Sequence, residues 1–315
     1  MRIVFMGTGD IALPGFDWLL SSPDVEVVGV FTQPDKPVGR KQILTPPEVK
    51  VRALAQGIPV FQPTSFKKEP ESVEALEALQ CDIAVVMAYG QILPKAVINA
   101  PRIACVNLHA SLLPRHRGAS PIQAAIRDGD EQSGITLMHI APKLDSGDQI
   151  LQSVIDLSPT ETGGGLHDRL ADLGPGILAE GLPLIFEGKA ERKEQDESQV
   201  TYSGKLGRAD GVIDWTKPAL EIERLVRAYD PWPGTSTVLP GKTDRSLKLF
   251  PFCEVGESED EAPGTVIGQE EALVVACGDG TSLRFTGDLQ IEGKKRMPIR
   301  DFLKGANLEP GLRLG

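Results

Sequence analysis

The sequence predicts an α/β fold, in which an N-terminal Rossmann-like, doubly wound parallel sheet is followed by a small C-terminal β-barrel of the OB type. In the first half of the chain, short continuous apolar runs alternate with helical patterns, as expected for parallel strands covered by helices on both faces. Beyond residue 208, short alternating runs are separated by turn residues, which is typical of a small barrel. We therefore predict domains at residues 1–188 and 208–315, joined by a polar linker at residues 189–207.

The individual elements follow from the same patterns. In the first domain the predicted strands are residues 1–6, 25–31, 83–88, 103–109, 134–140 and 149–155, and the predicted helices are residues 121–126 and 166–186. In the second domain they are a helix at 219–229 and strands at 247–252, 264–267, 272–276 and 282–285. Gly174 and Pro175 should bend or interrupt the helix that contains them, because proline removes a helical hydrogen bond.

Composition excludes several classes of protein. With 315 residues, 41% of them hydrophobic and 24% charged, the chain is long enough for two domains with their own cores. The four cysteines lie far apart without a C-x-x-C pair, which favours reduced thiols and predicts neither a disulfide framework nor a metal site. Since no apolar run approaches about 18 residues and the N-terminal run is too short for a signal peptide, we expect a cytoplasmic protein without a membrane segment.

Charge is unevenly distributed along the chain. Acidic residues outnumber basic ones, 44 to 33, and the net charge of −11 argues against a general nucleic-acid binder. Residues 36–52, however, hold five cations against one acid, and residues 294–304 form a second basic patch. Either patch alone is most simply a solvated surface, but the two together could bind one polyanion.

Residues 35–47 are rich in lysine, proline and glycine and contain few apolar anchors. This composition predicts a long mobile loop. Such loops are more often functional or disordered than simple connections.

Residues 7–12 follow a strand, open a helix and match a relaxed G-x-G-x-x-A dinucleotide-binding pattern. That function also requires an acid at the tip of the second strand to bind a ribose. The candidate, Asp35, lies beyond Gln33 and Pro34 in the loop instead. We therefore favour a tight structural turn, and a nicotinamide-dependent oxidoreductase remains an alternative.

Asn107 and His109 lie two residues apart at a strand end, so their side chains project to the same face of the sheet. Asp145, in a glycine-containing loop, could reach His109 and fix its orientation. The simpler alternatives are a polar pair at a strand–loop junction and a turn-forming aspartate. Together, an amide, an imidazole and a carboxylate suit direct acyl transfer to an amine. The Asn107 amide would donate to the oxyanion and His109 would move protons.

Residues 107–114 and 144–148 resemble the signature of the folate-dependent formyltransferase family. The resemblance extends over nearly the whole chain through residues 30–35, 88–94, 213–215 and 227–233. It implies transfer of a formyl group from 10-formyltetrahydrofolate to the α-amino group of methionine on charged initiator tRNA, through a tetrahedral intermediate. It also implies a monomeric enzyme without a metal.

The resemblance assigns roles to individual residues. The implied catalytic residues are Asn107, His109 and Asp145. The implied folate-binding residues are Ser111, Leu112, Leu113 and Pro114, with Tyr89, Gly90, Gln91, Ile92 and Leu93 lining the pterin pocket. The implied tRNA-binding residues are Lys36, Arg40 and Lys41, and the C-terminal barrel would hold the inner side of the tRNA.

Two positions depart from the family pattern. Gly9 stands where most relatives have proline, and this glycine creates the apparent dinucleotide pattern. Residues 39–44 are less basic than the corresponding family loop, which suggests weaker or more apolar tRNA binding there. A non-catalytic RNA-binding module, made of the barrel and the basic loop, is a third alternative.

Overall fold

The computed structural model describes residues 1–39, 41–258, 261–269, 271–305 and 308–315. These residues divide into two compact units. The first unit comprises Met1–Pro121, Gln132–Asp156 and His167–Ser203, and the second comprises Ile122–Glu131, Leu157–Leu166 and Gly204–Gly315. The domain boundaries given above stay a prediction. Within the described ranges, no helix is both long and apolar enough to cross a membrane.

The strands and helices of both units are named here in chain order. The strands are β1 (Arg2–Gly7), β2 (Glu26–Phe31), β3 (Lys36–Val38), β4 (Ile43–Thr45), β5 (Val60–Phe61), β6 (Ile83–Met87), β7 (Ala104–His109), β8 (Arg117–Gly118), β9 (Gln132–His139), β10 (Gln149–Asp156), β11 (Tyr202–Ser203), β12 (Thr235–Leu239), β13 (Arg245–Leu249), β14 (Cys253–Glu257), β15 (Val266–Gly268), β16 (Leu273–Ala276), β17 (Thr281–Phe285), β18 (Asp288–Ile291) and β19 (Met297–Pro298). The helices are α1 (Leu13–Ser21), α2 (Glu48–Ala55), α3 (Glu71–Ala78), α4 (Lys95–Asn99), α5 (Pro121–Arg127), α6 (Gly163–Phe186), α7 (Ala219–Ala228) and α8 (Ile299–Leu303).

The first unit is built on a seven-stranded sheet in the order β10-β9-β7-β6-β1-β2-β5. The five strands from β7 to β5 are parallel, whereas β9 and β10 run antiparallel at one edge. Every residue of β6 is buried, as expected for a central parallel strand covered on both faces. Edge strand β10 instead alternates between covered and exposed positions. The predicted Rossmann-like sheet is confirmed.

Two expectations for the first unit can be compared with the structure. Within the predicted loop at residues 35–47, β3 and β4 pair as two short antiparallel strands, which the sequence patterns did not predict, and the mobility of this segment stays a prediction. All six strand residues are exposed. The segment therefore lacks the alternation of apolar and polar residues that marks a strand with one buried face. The helix α6 continues through Pro175, so the expected interruption is wrong, while the alternative, a bend at Gly174 and Pro175, stays a prediction. Gly174 lies close to the backbone of Gly15, and a Cβ on Gly174 would meet the Gly15 Cα and N at 3.5 Å, an ordinary van der Waals contact.

The second unit contains two four-stranded antiparallel sheets, in the orders β12-β13-β18-β19 and β14-β17-β16-β15. Their inward-facing side chains and those of α7 form one hydrophobic core, in which Trp215 and Phe285 meet edge to face. The predicted C-terminal antiparallel β fold is confirmed. Sequence patterns missed β14 because its residues are mostly exposed and provide no apolar alternation.

Residues 189–203, placed in the predicted linker, pair with the first unit. Lys193 bridges to Gln149, and β11 lies parallel to β8. Gln195 in this segment is only 5% exposed. The segment therefore adds a buried polar side chain to the unit that holds the candidate site.

Candidate active site

The candidate site lies at the carboxyl edge of the seven-stranded sheet. Open α/β sheets place their sites beyond the carboxyl ends of their parallel strands. Asn107 and His109 end β7, and Asn107 pairs with Val86 of the neighbouring β6. Because the two residues are separated by one position in a strand, their side chains share a face.

His109 is almost completely buried, at 6% exposure. Its Nε2 lies 2.9 Å from the carbonyl oxygen of His116, and its Nδ1 lies 3.8 Å from Oδ2 of Asp145. Since a carbonyl oxygen can only accept a hydrogen bond, Nε2 bears a hydrogen in this arrangement. Nδ1 is the ring nitrogen that faces the carboxylate, at a distance too long for a direct hydrogen bond. A proton taken up by Nδ1 would be attracted to the Asp145 carboxylate.

Asp145 is held in place by the backbone around it. Its Oδ2 accepts a hydrogen bond of 2.8 Å from the Gly118 N–H, and its side chain is 15% exposed. The backbone of Asp145 has φ +47°, in the left-handed region that, apart from glycine, asparagine and aspartate adopt more often than other residues. The sequence left a turn-forming aspartate and a partner for His109 as alternatives, and in the structure Asp145 lies in a turn and its carboxylate approaches His109.

The Asn107 side chain is half-buried. Among the described residues, no hydrogen bond to the Asn107 amide is formed. The amide is therefore available to a group entering from solvent, which is what an oxyanion donor requires.

Residues 111–114 form a tightly held loop after β7. Thr136 Oγ1 donates to the Ser111 carbonyl (2.7 Å) and accepts from the Leu113 N–H (3.1 Å). The Leu113 carbonyl accepts from the amides of Gln149 (2.7 Å) and Gln152 (2.9 Å). Sequence analysis missed these three side chains. Their positions in the β9–β10 hairpin become meaningful only once the hairpin packs against the loop.

Of this loop, Ser111 and Leu113 are 1% and 3% exposed, whereas Leu112 and Pro114 are partly exposed. The buried side chains shape the loop. The partly exposed ones are those that a ligand can reach.

Residues 89–93 follow β6 and are partly internal. The Tyr89 side chain is 2% exposed, packs beside Phe66, and its hydroxyl has no hydrogen-bond partner among the described residues. Burial raises the pKa of this phenol above its ordinary value. Ile92, by contrast, is 88% exposed, and Gly90 is also exposed. A large exposed apolar side chain at this edge is a natural contact for a flat apolar ligand.

The turn at residues 7–12 is closely packed. A Cβ on Gly7 would lie 2.6 Å from the Phe5 ring, and the Gly9 N–H donates to the Ala88 carbonyl at 3.3 Å. Gly9 has φ −70°, a value that proline also adopts, so glycine here adds a hydrogen bond without changing the backbone.

The acid that a dinucleotide site would need is already engaged. Asp35 accepts from Lys50 Nζ at 2.8 Å and from the Gln62 amide at 2.8 Å. The hydrogen bonds from Gln62 and then from Lys50 lower the pKa of its carboxyl. This network fixes the base of the β3–β4 hairpin.

Two of the three candidate tRNA-binding residues belong to the described part of that hairpin. Lys36 and Lys41 are exposed. Arg40 lies outside the described residues. Three apolar side chains on the same hairpin are also open to solvent: Val38 (55%), Ile43 (61%) and Leu44 (64%).

Burial makes the four cysteine thiols weak acids. Burial raises the pKa of Cys81 to about 11 and those of Cys105, Cys253 and Cys277 to about 12. None of these thiols is a nucleophile at neutral pH.

Comparison with known proteins adds independent information. The family described as "Formyl transferase" matches residues 1–182, and "Formyl transferase, C-terminal domain" matches residues 205–307. A methionyl-tRNA formyltransferase from Akkermansia muciniphila is 50% identical over 97% of this chain and 96% of its own length. One from Marinobacter nauticus is 45% identical over the full length of both chains.

Solved structures are similar in fold. WlaRD, a sugar 3N-formyl transferase crystallised with dTDP and 5-N-formyl-THF, superposes with a TM-score of 0.65, covering 94% of this chain and 99% of its own. At 18% identity, this similarity concerns the fold alone.

Proposed function

This chain belongs to the methionyl-tRNA formyltransferase family, and from that membership we propose that it transfers a formyl group from 10-formyltetrahydrofolate to the α-amino group of methionine on initiator tRNA. The observation that supports the proposal most directly is the approach of His109 Nδ1 to Asp145 Oδ2, 3.8 Å, next to the unengaged amide of Asn107.

The reaction follows from these three side chains. The amine attacks the formyl carbon, and the Asn107 amide donates to the oxygen as it becomes negative, an interaction whose loss typically costs about 100- to 1000-fold in rate. The bond from the formyl carbon to folate N10 then breaks, and N10 takes a proton. The products are tetrahydrofolate and formylmethionyl-tRNA.

Proton movement is assigned to Nδ1 of His109. Because Nε2 donates to the His116 carbonyl, only Nδ1 can accept the proton released by the attacking amine. The imidazolium that forms is stabilised by Asp145, and it can return the proton to N10 of the departing folate. A positioned acid–base of this kind contributes about 100- to 10,000-fold.

We assign the folate donor to the segments after β6 and β7. These strands are neighbours, so residues 89–93 begin beside the strand that ends in Asn107 and His109. The exposed Ile92 and Gly90 offer an apolar surface to the pterin, and Leu112 and Pro114 provide the other predicted contacts.

The tRNA is bound in part by the β3–β4 hairpin. Lys36 and Lys41 attract the phosphate backbone, and the exposed Ile43 and Leu44 add apolar contact. Arg40, which holds the family's main basic position, is assigned the same role; Arg40→Ala should raise the KM for charged tRNA and leave kcat unchanged.

A formylation assay with charged initiator tRNA and 10-formyltetrahydrofolate tests the proposal. Asn107→Ala should lower kcat by about 100-fold or more with little change in tRNA affinity. Asn99→Ala, an exposed asparagine at the end of α4, is the matched control and should keep the wild-type rate. Absence of formylated product with the wild-type protein would refute the proposal.

The alternatives give different results in the same preparation. A nicotinamide-dependent oxidoreductase would bind NAD, and a ribose would have to compete with the hydrogen bonds that Lys50 and Gln62 already make to the Asp35 carboxylate. A non-catalytic RNA-binding module would keep its tRNA affinity in Asn107 and Asp145 variants and form no product. Calorimetry with a folate analogue and with NAD separates the first alternative from our proposal.

A further inference from the structure

The feature that leads to this inference is Arg117, a large charged side chain with no exposed surface. Its Nε and Nη2 both donate to Oε1 of Gln195, at 3.0 and 2.9 Å, and Nη2 also donates to Glu197 at 2.8 Å. Completely buried charges need strong partners, because their desolvation is costly. Gln195 is the buried partner of this guanidinium, and the exposed carboxylate of Glu197 provides its counter-charge.

The other end of the Gln195 side chain points to the Asp145 loop. Its Nε2 donates to the carbonyl of Asp145 at 2.9 Å and to the carbonyl of Gly147 at 2.8 Å. Gln195 is 5% exposed, and its hydrogen bonds with Arg117 and with the Gly147 carbonyl are buried. One amide thus joins the buried arginine to the backbone on which the carboxylate stands.

The same region of the chain also holds the Asp145 carboxylate. Gly118, the residue after Arg117, donates its N–H to Asp145 Oδ2. The main chain of Asp145 is thus held by Gln195 and its side chain by Gly118. A residue in the left-handed region persists only where its surroundings fix it, and these bonds provide that constraint.

We propose that Gln195 is a positioning residue for the reaction, which sets the distance between the Asp145 carboxylate and His109 Nδ1 through Arg117 and the 145–147 backbone. The inference rests on the proposed function. Gln195 contacts neither His109 nor the substrate groups in the mechanism above. Its effect should therefore fall on the rate of the chemical step and leave substrate binding unchanged.

Gln195→Glu tests the oxygen and the nitrogen of the Gln195 amide separately. The glutamate keeps an oxygen acceptor for Arg117, but it loses the N–H donors and places oxygens against the carbonyls of Asp145 and Gly147. We expect kcat to fall by about 10- to 100-fold with the KM for tRNA and for the folate donor unchanged. Hydrogen–deuterium exchange of the amides at residues 143–148 should become faster.

Gln199→Glu is the matched control, since it makes the same change at an exposed position four residues along the same segment. Gln199 hydrogen bonds Asp196 and does not contact the Asp145 loop. This variant should keep the wild-type kcat and the wild-type exchange at residues 143–148. Gln195→Met, which is apolar and of similar size, is the second variant in case Gln195→Glu does not fold, and it should show the same loss of kcat.

Three outcomes would overturn the inference: a wild-type kcat in the folded Gln195 variants, a loss of kcat with an equal rise in both KM values, or unchanged exchange at residues 143–148. If the wild-type protein itself forms no product, the proposed function is wrong, and the exchange measurement alone decides whether Gln195 fixes the Asp145 loop.

Discussion

The carboxyl edge of the central sheet and the β3–β4 hairpin hold the two halves of the proposed activity, and they are built differently. At the sheet edge, His109 is 6% exposed and Asp145 is fixed by the Gly118 amide. On the hairpin all six strand residues are exposed, and three of them are apolar.

The difference follows from what each region does. Stabilising a transient charge requires groups that are already in place, because moving them during the reaction would raise the barrier. Binding a polyanion requires accessible cations, whose attraction acts over several ångströms and tolerates imprecise positions. Substitutions at the sheet edge should therefore change kcat, and substitutions on the hairpin should change KM.

The largest effect is expected for Asp145→Asn, which removes the charge while preserving the shape of the side chain. The imidazolium of His109 loses its counter-charge, so kcat should fall by about 100-fold or more while the KM for tRNA stays unchanged. Single-turnover kinetics at saturating substrates measure this.

Asp148→Asn is the control for that experiment, because Asp148 lies three residues along the same loop and its carboxylate faces Arg192 at 3.7 Å. It should keep the wild-type rate. If Asp145→Asn also keeps it, the carboxylate does not organise His109, and the contrast between the two regions loses its main support.

A smaller effect is expected for Thr136→Val, which preserves volume but removes the hydroxyl that holds residues 111–114. The Ser111 carbonyl and the Leu113 N–H would lose a buried partner, a cost of about 1–3 kcal/mol in the free energy of unfolding. The KM for the folate donor should rise as the loop loosens. Chemical denaturation and steady-state kinetics measure the two effects.

Ser133→Ala is the control in the same strand, since the Ser133 hydroxyl is buried and has no partner among the described residues. Removing it should leave stability unchanged or raise it. A larger loss of stability in Ser133→Ala than in Thr136→Val would contradict the role assigned to Thr136.

Sequence patterns predicted the structure correctly where residue type follows a regular spacing within one short segment. The continuous apolar run of β6 predicted a central parallel strand, and the two-residue spacing of Asn107 and His109 predicted a shared face. The approach of Asp145 to His109 was also expected from residue types, and the structure shows it at 3.8 Å. Their catalytic roles stay predictions.

The patterns were insufficient where a contact joins distant segments. Gln195 lies in a polar stretch with the composition of a linker, and its burial depends on Arg117, 78 residues earlier. The β3–β4 hairpin has no buried face, so no apolar alternation marks its strands. In both cases the determining interactions are hydrogen bonds across the sequence, which leave little trace in hydrophobic periodicity.

On the hairpin, Lys41→Ala should raise the KM for charged tRNA several-fold and leave kcat and the melting temperature unchanged. The affinity falls as the salt concentration rises, so the slope of log affinity against log salt concentration is negative. Each lost phosphate contact should make this slope less steep by about 0.7 to 0.9. Titration with charged tRNA at several salt concentrations measures this slope.

Lys189→Ala is the control, because Lys189 is exposed and paired with Glu187 away from the hairpin. Its salt slope should equal that of the wild type. An unchanged slope in Lys41→Ala would remove this lysine from tRNA recognition.

The smallest effect is expected at the base of the hairpin, where Asp35 joins Gln62 and Lys50. These hydrogen bonds lower the pKa of Asp35 from its usual 3.8, so the ionised carboxylate stabilises the fold above about pH 4. The stabilisation is lost as the pH falls through the lowered pKa. Asp35→Asn should therefore have a slightly lower melting temperature than the wild type at neutral pH, and the difference in melting temperature should disappear in acid.

Asp24→Asn, which changes an exposed aspartate outside this network, is the control. Between pH 2 and pH 7, its melting temperature should show no such pH-dependent difference from that of the wild type. If the melting-temperature difference for Asp35→Asn instead grows in acid, then Lys50 and Gln62 do not stabilise the ionised carboxylate. The start of the β3–β4 hairpin would then not be held by this network.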